Sequence, residues 1–493
     1  MLTVLGIRLN SKSNMGNNLH YVIIKPRNKI TLNLFESERY ESAILVQQLI
    51  GTLVYYSNYG RYEPRLAQSW RNIDGYNWEF VLKDYLKTEN NEPITAVLFK
   101  KSLERSIYIF DQRGGVPILS NLKGYKDFIE KCKTVKSIYD LPSFASIVAE
   151  GNKLKFIFDQ KVNSGLLQIL SFSPFGYISI ENFNHAGEWN DDKKFISSGP
   201  YRIENIEIGV KYSLIKNSNW KDFADNAPDR VIITHNEDIN TENQNVIIDA
   251  FTNEYSHASL NKYKLVPEYL NSILIGNYDS GFFRTRNNRQ VFKKYLNKVI
   301  VRELPLEFGV NTRSTTFYPN QDVHTHDLPV STFDSKASKP LIIEGRIPIV
   351  GTARWHAWKV LEKALIELSL PFEFANNEST FLDMTNRKYD LRIRGSSIGG
   401  GVEAWGLFVS FCSSMGINFP DPNDRVCNLL SDYENEKLNE VELSQLFFQI
   451  INDEAAILPI SHYGVSLFFS SNIDTNTFSP ALSIMKFDQI GIL

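Results

Sequence analysis

The stretch RIRGSSIGGGVEAWG (392–406) concentrates more recognition chemistry than any other part of the chain. Arg392 and Arg394 alternate with Leu391 and Ile393, so on a strand the two arginines share one face. A guanidinium pair suits an anionic partner, because it binds carboxylate or phosphate in a bidentate fork. Ser396, Ser397 and the glycine run behind them expose backbone N–H groups that can cradle an anion. Glu403 and Trp405 add a carboxylate and an indole within the same loop. The combination reads as a small-molecule site, placed at the carboxyl end of a strand, where α/β folds bind their ligands. The competing reading is a flexible turn carrying solvated charges.

Other candidates are weaker. His324 and His326 stand one residue apart in a polar segment and would ligate a metal only if carboxylates converge on them. A solvated loop is the simpler reading. Cys132, Cys412 and Cys427 match no zinc spacing. A Cys412–Cys427 bridge stays open, with buried free thiols the expectation. No P-loop, H-E-x-x-H, G-x-S-x-G or D-F-G set is present. The expectation is a protein that is not an enzyme and needs no cofactor or metal.

Composition narrows the class. A chain of 493 residues suggests about three domains. With 43% hydrophobic and 22% charged residues, wholesale disorder and rod-like coiled coils are excluded. A formal charge of −3 argues against a nucleic-acid partner. The longest uncharged stretches are broken by Ser, Asn, Pro and Gly and fall short of a membrane span. The first residues, MLTVLGIRLNSKSNMGNN, lack a basic segment followed by an apolar core, so no export signal and no lipoprotein cysteine are visible.

The elements that must position these residues alternate between strand and helix. YVIIKPRNKITLNLF (21–35) reads as two strands around a turn at Pro26-Arg27-Asn28. Residues 41–56 read as a helix with Ile44, Leu45, Leu49 and Leu53 on one face. Asp74-Gly75 between apolar runs predicts a hairpin. A helix follows, with Pro93 in its first turn. Strands are predicted over 153–158 and 231–234, a short helix over 166–170, and a hairpin turning at Ile208-Gly209. Helices are predicted over 288–304, 355–370 and 436–457, and strands over 341–351 and 389–395. Residues 310–335 read as a long loop. The class is α/β.

Residues 54–106 carry a resemblance. Pro64, Leu66-Ala67, Ser69-Trp70, the strand WEFVLK (78–83), Glu92-Pro93-Ile94-Thr95-Ala96, and Ser102 with Arg105 resemble the signature of the extracytoplasmic solute-binding protein family 5. This is the peptide, nickel and oligopeptide binding group of ABC importers. SSGPYRIENIEIGVKYSLIKNSNW (197–220), RQVFKKYLNKVIVRE (289–303), KYDLRIRG (388–395) and DEAAILPISHYGVSLFFSSNI (453–473) resemble later family blocks in the same order. The likeness runs over about residues 30–490. One departure stands out. Peptide-binding members place a Trp and then an Asp after the Tyr-Asp strand, the Asp pairing with the peptide's amino terminus. Here those positions hold Ser396 and Gly399.

The resemblance implies a periplasmic-binding-protein-like fold of type II with three lobes. Residues 1–42, 155–258 and 460–493 would form domain I, 43–154 an inserted domain II, and 259–459 domain III. A ligand would lie in the cleft between domains I and III. Arg394, Ser396, Ser397, Glu403, Trp405 and Arg392 would line the domain III side, with Arg284 and Arg286 near a strand of that domain. Tyr40 would face the cleft from the loop after the first strand. The implied function is a monomeric receptor that captures a peptide-like or other polar or anionic solute for an ABC transporter permease. Its implied location is the periplasm or cell envelope. The alternative is a ligand sensor of the same fold, uncoupled from transport.

Overall fold

The computed structural model describes residues 17–24, 30–36, 40–56, 62–112, 117–162, 165–184, 187–190, 195–207, 209–235, 244–250, 260–264, 269–276, 281–308, 311–315, 332–334, 336–344, 348, 353–375, 389–397, 425–434, 437–463, 466–477 and 485–493. Three larger sheets organise these residues, two of seven strands and one of four, beside two two-stranded ribbons.

In the first sheet, strand Asn18–Ile24 lies between Arg230–His235 and Asn245–Ala250, parallel to both. The hairpin Tyr201–Glu207 and Lys211–Lys216 extends one side, antiparallel to Arg230–His235. Strands Ser466–Phe469 and Asn261–Lys264 extend the other. Alternation puts Tyr21, Ile233, Ile247 and Phe469 on one face, where they pack with helix Tyr40–Leu49 and the C-terminal residues. Val22, Val246, Ile248 and Phe468 form a smaller cluster on the other face.

The four-stranded sheet runs Ala67–Asn72, Asn77–Leu82, Lys153–Ile157, Ile147–Glu150, all antiparallel. Its first hairpin turns at Asp74-Gly75 as expected. Asp74 Oδ1 accepts from the N–H groups of Tyr76 and Asn77, and Gly75 takes φ 84°, which only glycine adopts at little cost. Helix Ala96–Asp111 covers the sheet and begins later than expected. Its N-cap is Thr95, whose hydroxyl accepts from Leu98 N, so Pro93 precedes the helix.

The second seven-stranded sheet has the order Glu307–Phe308, Asn311–Arg313, Ile457–Tyr463, Tyr269–Ile275, Leu391–Ser397, Leu341–Glu344, Phe372–Ala375. Helix Ala353–Glu367 packs on one face through Trp358, whose ring meets Phe372 at 5.7 Å and Phe374 at 4.8 Å. Helix Arg286–Glu303 packs against that helix, and helix Glu440–Glu454 leads into the strand Ile457–Tyr463.

Two expected elements differ. Thr31, Asn33 and Phe35 do not continue a strand. The Thr31 hydroxyl accepts from Asn33 N and Asn33 Oδ1 accepts from Phe35 N, and these local bonds curl the chain into a single turn, Leu34–Glu36. The helix expected over 41–56 ends at Leu49, and Val54–Tyr56 is a strand. The helix stops because its end is crossed by other backbone. A Cβ at Gly176 would lie 2.6 Å from Gly51 O, and one at Gly199 would lie 2.7 Å from Ile50 N. The carbonyl of Leu49 accepts from the N–H groups of Ser198 and Gly199. Within the segment read as a loop, Asn311–Arg313 is a strand, while 316–331 lie outside the described residues.

Candidate functional site

The chain crosses between the two large sheets twice, over 265–268 and over 464–465. On one side of the crossings Lys264 pairs with Ser466; on the other Tyr269 pairs with Tyr463. Tyr463 and Ser466 are three Cα steps apart, so the two sheet ends lie within roughly 11 Å of each other there. The register fixes what else stands at that end. In the first sheet Ala250 lies opposite Ser466, and Ile24 opposite Ala250, so the carboxyl ends of three parallel strands point at the crossings. In the second sheet Ser397 lies opposite Tyr269, so the strand Leu391–Ser397 also ends there, with Leu341–Glu344 parallel beside it. Strand carboxyl ends from both sheets therefore meet at one place, the location at which open α/β sheets bind ligands.

On the first-sheet side, Tyr21 Oη donates to Asp249 Oδ2 at 2.6 Å, both side chains fully buried. A charge-assisted bond of this kind holds a buried carboxylate in place. The ring of Phe487, from the C-terminal turn, packs on Tyr21 at 5.1 Å. His235 ends its strand opposite Ile23.

On the second-sheet side, positions 392, 394 and 396 fall on one face, as the alternation predicts. The register adds Glu344 and Leu274 beside 392, Ser272 beside 394, and Leu270 and His462 in the row of 396. The other face carries Leu391 and Ile343, both fully buried. Arg392 Nε lies 3.4 Å from Glu344 Oε2, so its charge is already met by a largely buried carboxylate. Ser272 and His462 are buried polar groups in the same band. Such an array offers directed hydrogen bonds and charge.

The Tyr-Asp pair before this strand has an architectural task. Asp390 Oδ2 accepts from Ile342 N at 2.9 Å, and Asp390 O accepts from Gly276 N at 3.0 Å, so one residue stitches the strand start to both neighbours.

The remaining residues singled out from sequence are dispersed. Arg284 is exposed in the turn Phe282–Arg284, where its carbonyl accepts from Arg289 Nη1. Arg286 is exposed at the start of its helix and donates to Asp453 O at 2.8 Å. Asp453 precedes the start of Ile457–Tyr463, so both arginines stand near where Leu391–Ser397 begins. Six residue steps of about 3.3 Å put that end roughly 20 Å from Ser397. Tyr40 is the first residue of helix Tyr40–Leu49 rather than part of a loop. Of Arg394, Ser396 and Ser397 the backbone is described. Glu403, Trp405, Cys412, His324 and His326 lie outside the described residues, and Cys427 is placed only as part of helix Arg425–Glu434. Cys132 is a buried free thiol, and burial pushes it up to about 11.

Tyr21, Asp249, Glu344, Ser272 and His462 escaped the sequence reading. For Asp249, Glu344 and His462 the signal was a polar residue interrupting an apolar strand, in IID, LIIE and LPISHY. Among the described residues no group of three His, Cys, Asp or Glu is placed to hold a metal, and no helix is long and apolar enough to cross a membrane.

Comparison with known proteins gives three results. The family model for bacterial extracellular solute-binding proteins, family 5 Middle, matches residues 61–303. The nickel-binding protein NikA of Staphylococcus aureus is 28% identical over 189 residues, 38% of this chain and 32% of the relative, so the match spans about a third of that protein's length. Among solved structures, the murein tripeptide binding protein MppA of Escherichia coli superposes with TM-score 0.72 at 15% identity, covering 96% of this chain and 98% of that one. OppA of Haemophilus influenzae, in complex with the peptide RPPGFSPFR, also gives 0.72, at 14% identity and the same coverage. The fold extends over almost the whole chain, while sequence likeness is concentrated in the middle.

Proposed function

We propose that this chain, a bacterial extracellular solute-binding protein of family 5, captures a small polar solute between its two seven-stranded sheets and delivers it to the permease of an ABC importer. The observation that carries this reading is the double crossing. Two short connections join the sheets at the end where their strand carboxyl termini meet, which lets one lobe swing over the other around a bound molecule. Ligand favours the closed form only through contacts that improve on closure. Polar rows on the second sheet and the strand ends of the first supply such contacts.

The ligand class is a peptide-like or other polar or anionic solute. The structural relatives named above bind peptides, and the sequence relative is named for nickel. In this chain Ser396 and Gly399 stand where peptide-binding members carry the Trp and the ammonium-pairing Asp, which favours a ligand without a free amino terminus. The Arg392–Glu344 pair accounts for one of the two arginines of this strand, and Arg394 is the one proposed to meet the ligand. The role is binding without covalent chemistry, carried out by a monomer on the extracytoplasmic side. The proposed division keeps three lobes, with 1–42, 155–258 and 460–493 as domain I, 43–154 as domain II and 259–459 as domain III.

Native mass spectrometry of freshly purified protein, compared with its denatured mass, tests the reading. A non-covalent mass lost on denaturation is expected, and its identity names the ligand. A bare mass, with no binding to a panel of peptides, organic acids and metal chelates, would overturn it.

A further inference from the structure

A buried hydroxyl beside the candidate site has no partner in the fold. Ser272 lies directly opposite Arg394 across one antiparallel pair, and opposite Pro459 across the other. Side chains paired in this way share a face, with Cβ atoms about 5 Å apart. Ser272 is 1% exposed, and its Oγ makes no hydrogen bond among the described residues. The Pro459 side chain carries neither donor nor acceptor and cannot satisfy it. The next row on the same face is complete, because Glu344 meets Arg392 there. No carboxylate stands in the register of the Ser272 row.

The ladder is irregular at this point. Ser272 pairs with Pro459 and Asn271 with Ser461, so Ile460 is the extra residue of a bulge. Bulges re-aim side chains and recur beside binding sites. Ser461 is fully buried, and its Oγ also makes no hydrogen bond among the described residues. Buried serines with a structural task look different. Ser102 Oγ donates to Gly176 O and accepts from Ile178 N, and Ser198 Oγ donates to Tyr177 O and accepts from Gly51 N. Leaving a buried hydroxyl without a partner is costly. At Ser272 that cost falls three residues from Tyr269, roughly 10 Å from the end where the two sheets meet.

We propose that Ser272 is a specificity-determining residue of the binding site, its hydroxyl donating to the oxyanion of a solute whose negative charge Arg394 meets. This rests on the reading of the strand ends as the site. A guanidinium fork takes two oxygens of a carboxylate or phosphoryl group and leaves further lone pairs open. A hydroxyl one strand away takes one of these, and it adds direction without adding charge. An amide suits the row less well, because it offers one acceptor oxygen and an N–H that a guanidinium cannot accept. The hydroxyl that the fold leaves without a bond gains one only in the loaded form, so the contact contributes to affinity and not to the stability of the bare chain.

The test uses the full chain, dialysed until native mass spectrometry shows its bare mass. Melting temperatures of the wild type, Ser272→Ala and Ser272→Thr are compared in potassium chloride, inorganic phosphate and N-acetylglycine at matched ionic strength. In the wild type at least one of the two oxyanions is expected to raise the melting temperature above that in chloride, and the one that does so identifies the group as phosphoryl or carboxylate. Ser272→Ala should bind that oxyanion at least about tenfold more weakly. In chloride it should melt no lower than the wild type, because it removes a hydroxyl that has no partner. Ser272→Thr keeps the hydroxyl and should keep the binding. Unchanged oxyanion binding in Ser272→Ala, a lower melting temperature in chloride or loss of folding would overturn the proposal. So would a wild type indifferent to both oxyanions. None of these results removes solute capture, which fails only if the chain also binds nothing in the wider panel of peptides, organic acids and metal chelates.

Discussion

Two junctions hold this molecule together, and they are built on different principles. Between the two seven-stranded sheets the chain passes twice, and each crossing is flanked by backbone pairs internal to one sheet or the other, Lys264 with Ser466 and Tyr269 with Tyr463. Between the first sheet and the four-stranded lobe, side chains converge from several segments. Arg65 grips Asp488, Lys83 Nζ meets Asp222 Oδ2 at 2.7 Å, and Ser102 Oγ donates to Gly176 O while accepting from Ile178 N. Arg105 Nη2 donates to Ile178 O, and its burial lowers it to about 10. A buried bidentate ion pair resists opening, because each charge, already stripped of water, would lose the partner that compensates it.

The largest expected effect lies at the rigid junction. Asp488→Ala strands the Arg65 guanidinium in the interior and should cost about 3–5 kcal/mol in denaturant unfolding. The paired change Arg65→Met with Asp488→Leu should recover most of that loss; failure to recover would mean the turn depends on something other than the pair. Ser102→Ala leaves Ile178 N and Gly176 O short of a partner and should cost about 1–3 kcal/mol. Arg394→Ala inverts the pattern. Affinity for the co-purified ligand, measured by calorimetry, should drop more than tenfold, about 1.4 kcal/mol, while the melting temperature stays near wild type. An unchanged affinity would remove Arg394 from the site. Smallest is Lys83→Ala, whose partly exposed pair with Asp222 is worth at most about 1 kcal/mol. If Lys83→Ala matched Asp488→Ala, the contrast between buried and exposed ties would collapse.

How much of this the sequence shows depends on the range of the cause. The Asp74-Gly75 hairpin and the helices Arg286–Glu303 and Ala353–Glu367 are written in local spacing, and each lies within a few residues of its expected position. The helix expected to reach residue 56 stopped at Leu49 because Gly176 and Gly199, far along the chain, cross its end. The S-S-G-P-Y block resembles a family signature, and its task is visible only in the fold. Gly199 is there because no side chain fits against the end of that helix. The candidate site divides the same way. That Arg392 and Arg394 share a face follows from a two-residue period. That Arg392 is met by Glu344, 48 positions earlier, follows only from the pairing of two parallel strands. Arg284 and Arg286 looked like neighbours of the site by family position, and the register puts them near the opposite end of the strand.

By itself, then, the sequence determined the α/β class, most helices, the strand faces and the likeness of the central region to one family of solute-binding proteins. These depend on periodicity and on short motifs, whose physics acts between residues a few positions apart. Only the tertiary structure decided where the strand ends meet, which charges are already paired, and that residues 485–490 close the junction of two lobes. Those outcomes depend on contacts between segments up to several hundred residues apart, as Arg65 and Asp488 are. Nothing in the local spacing of either residue encodes the other.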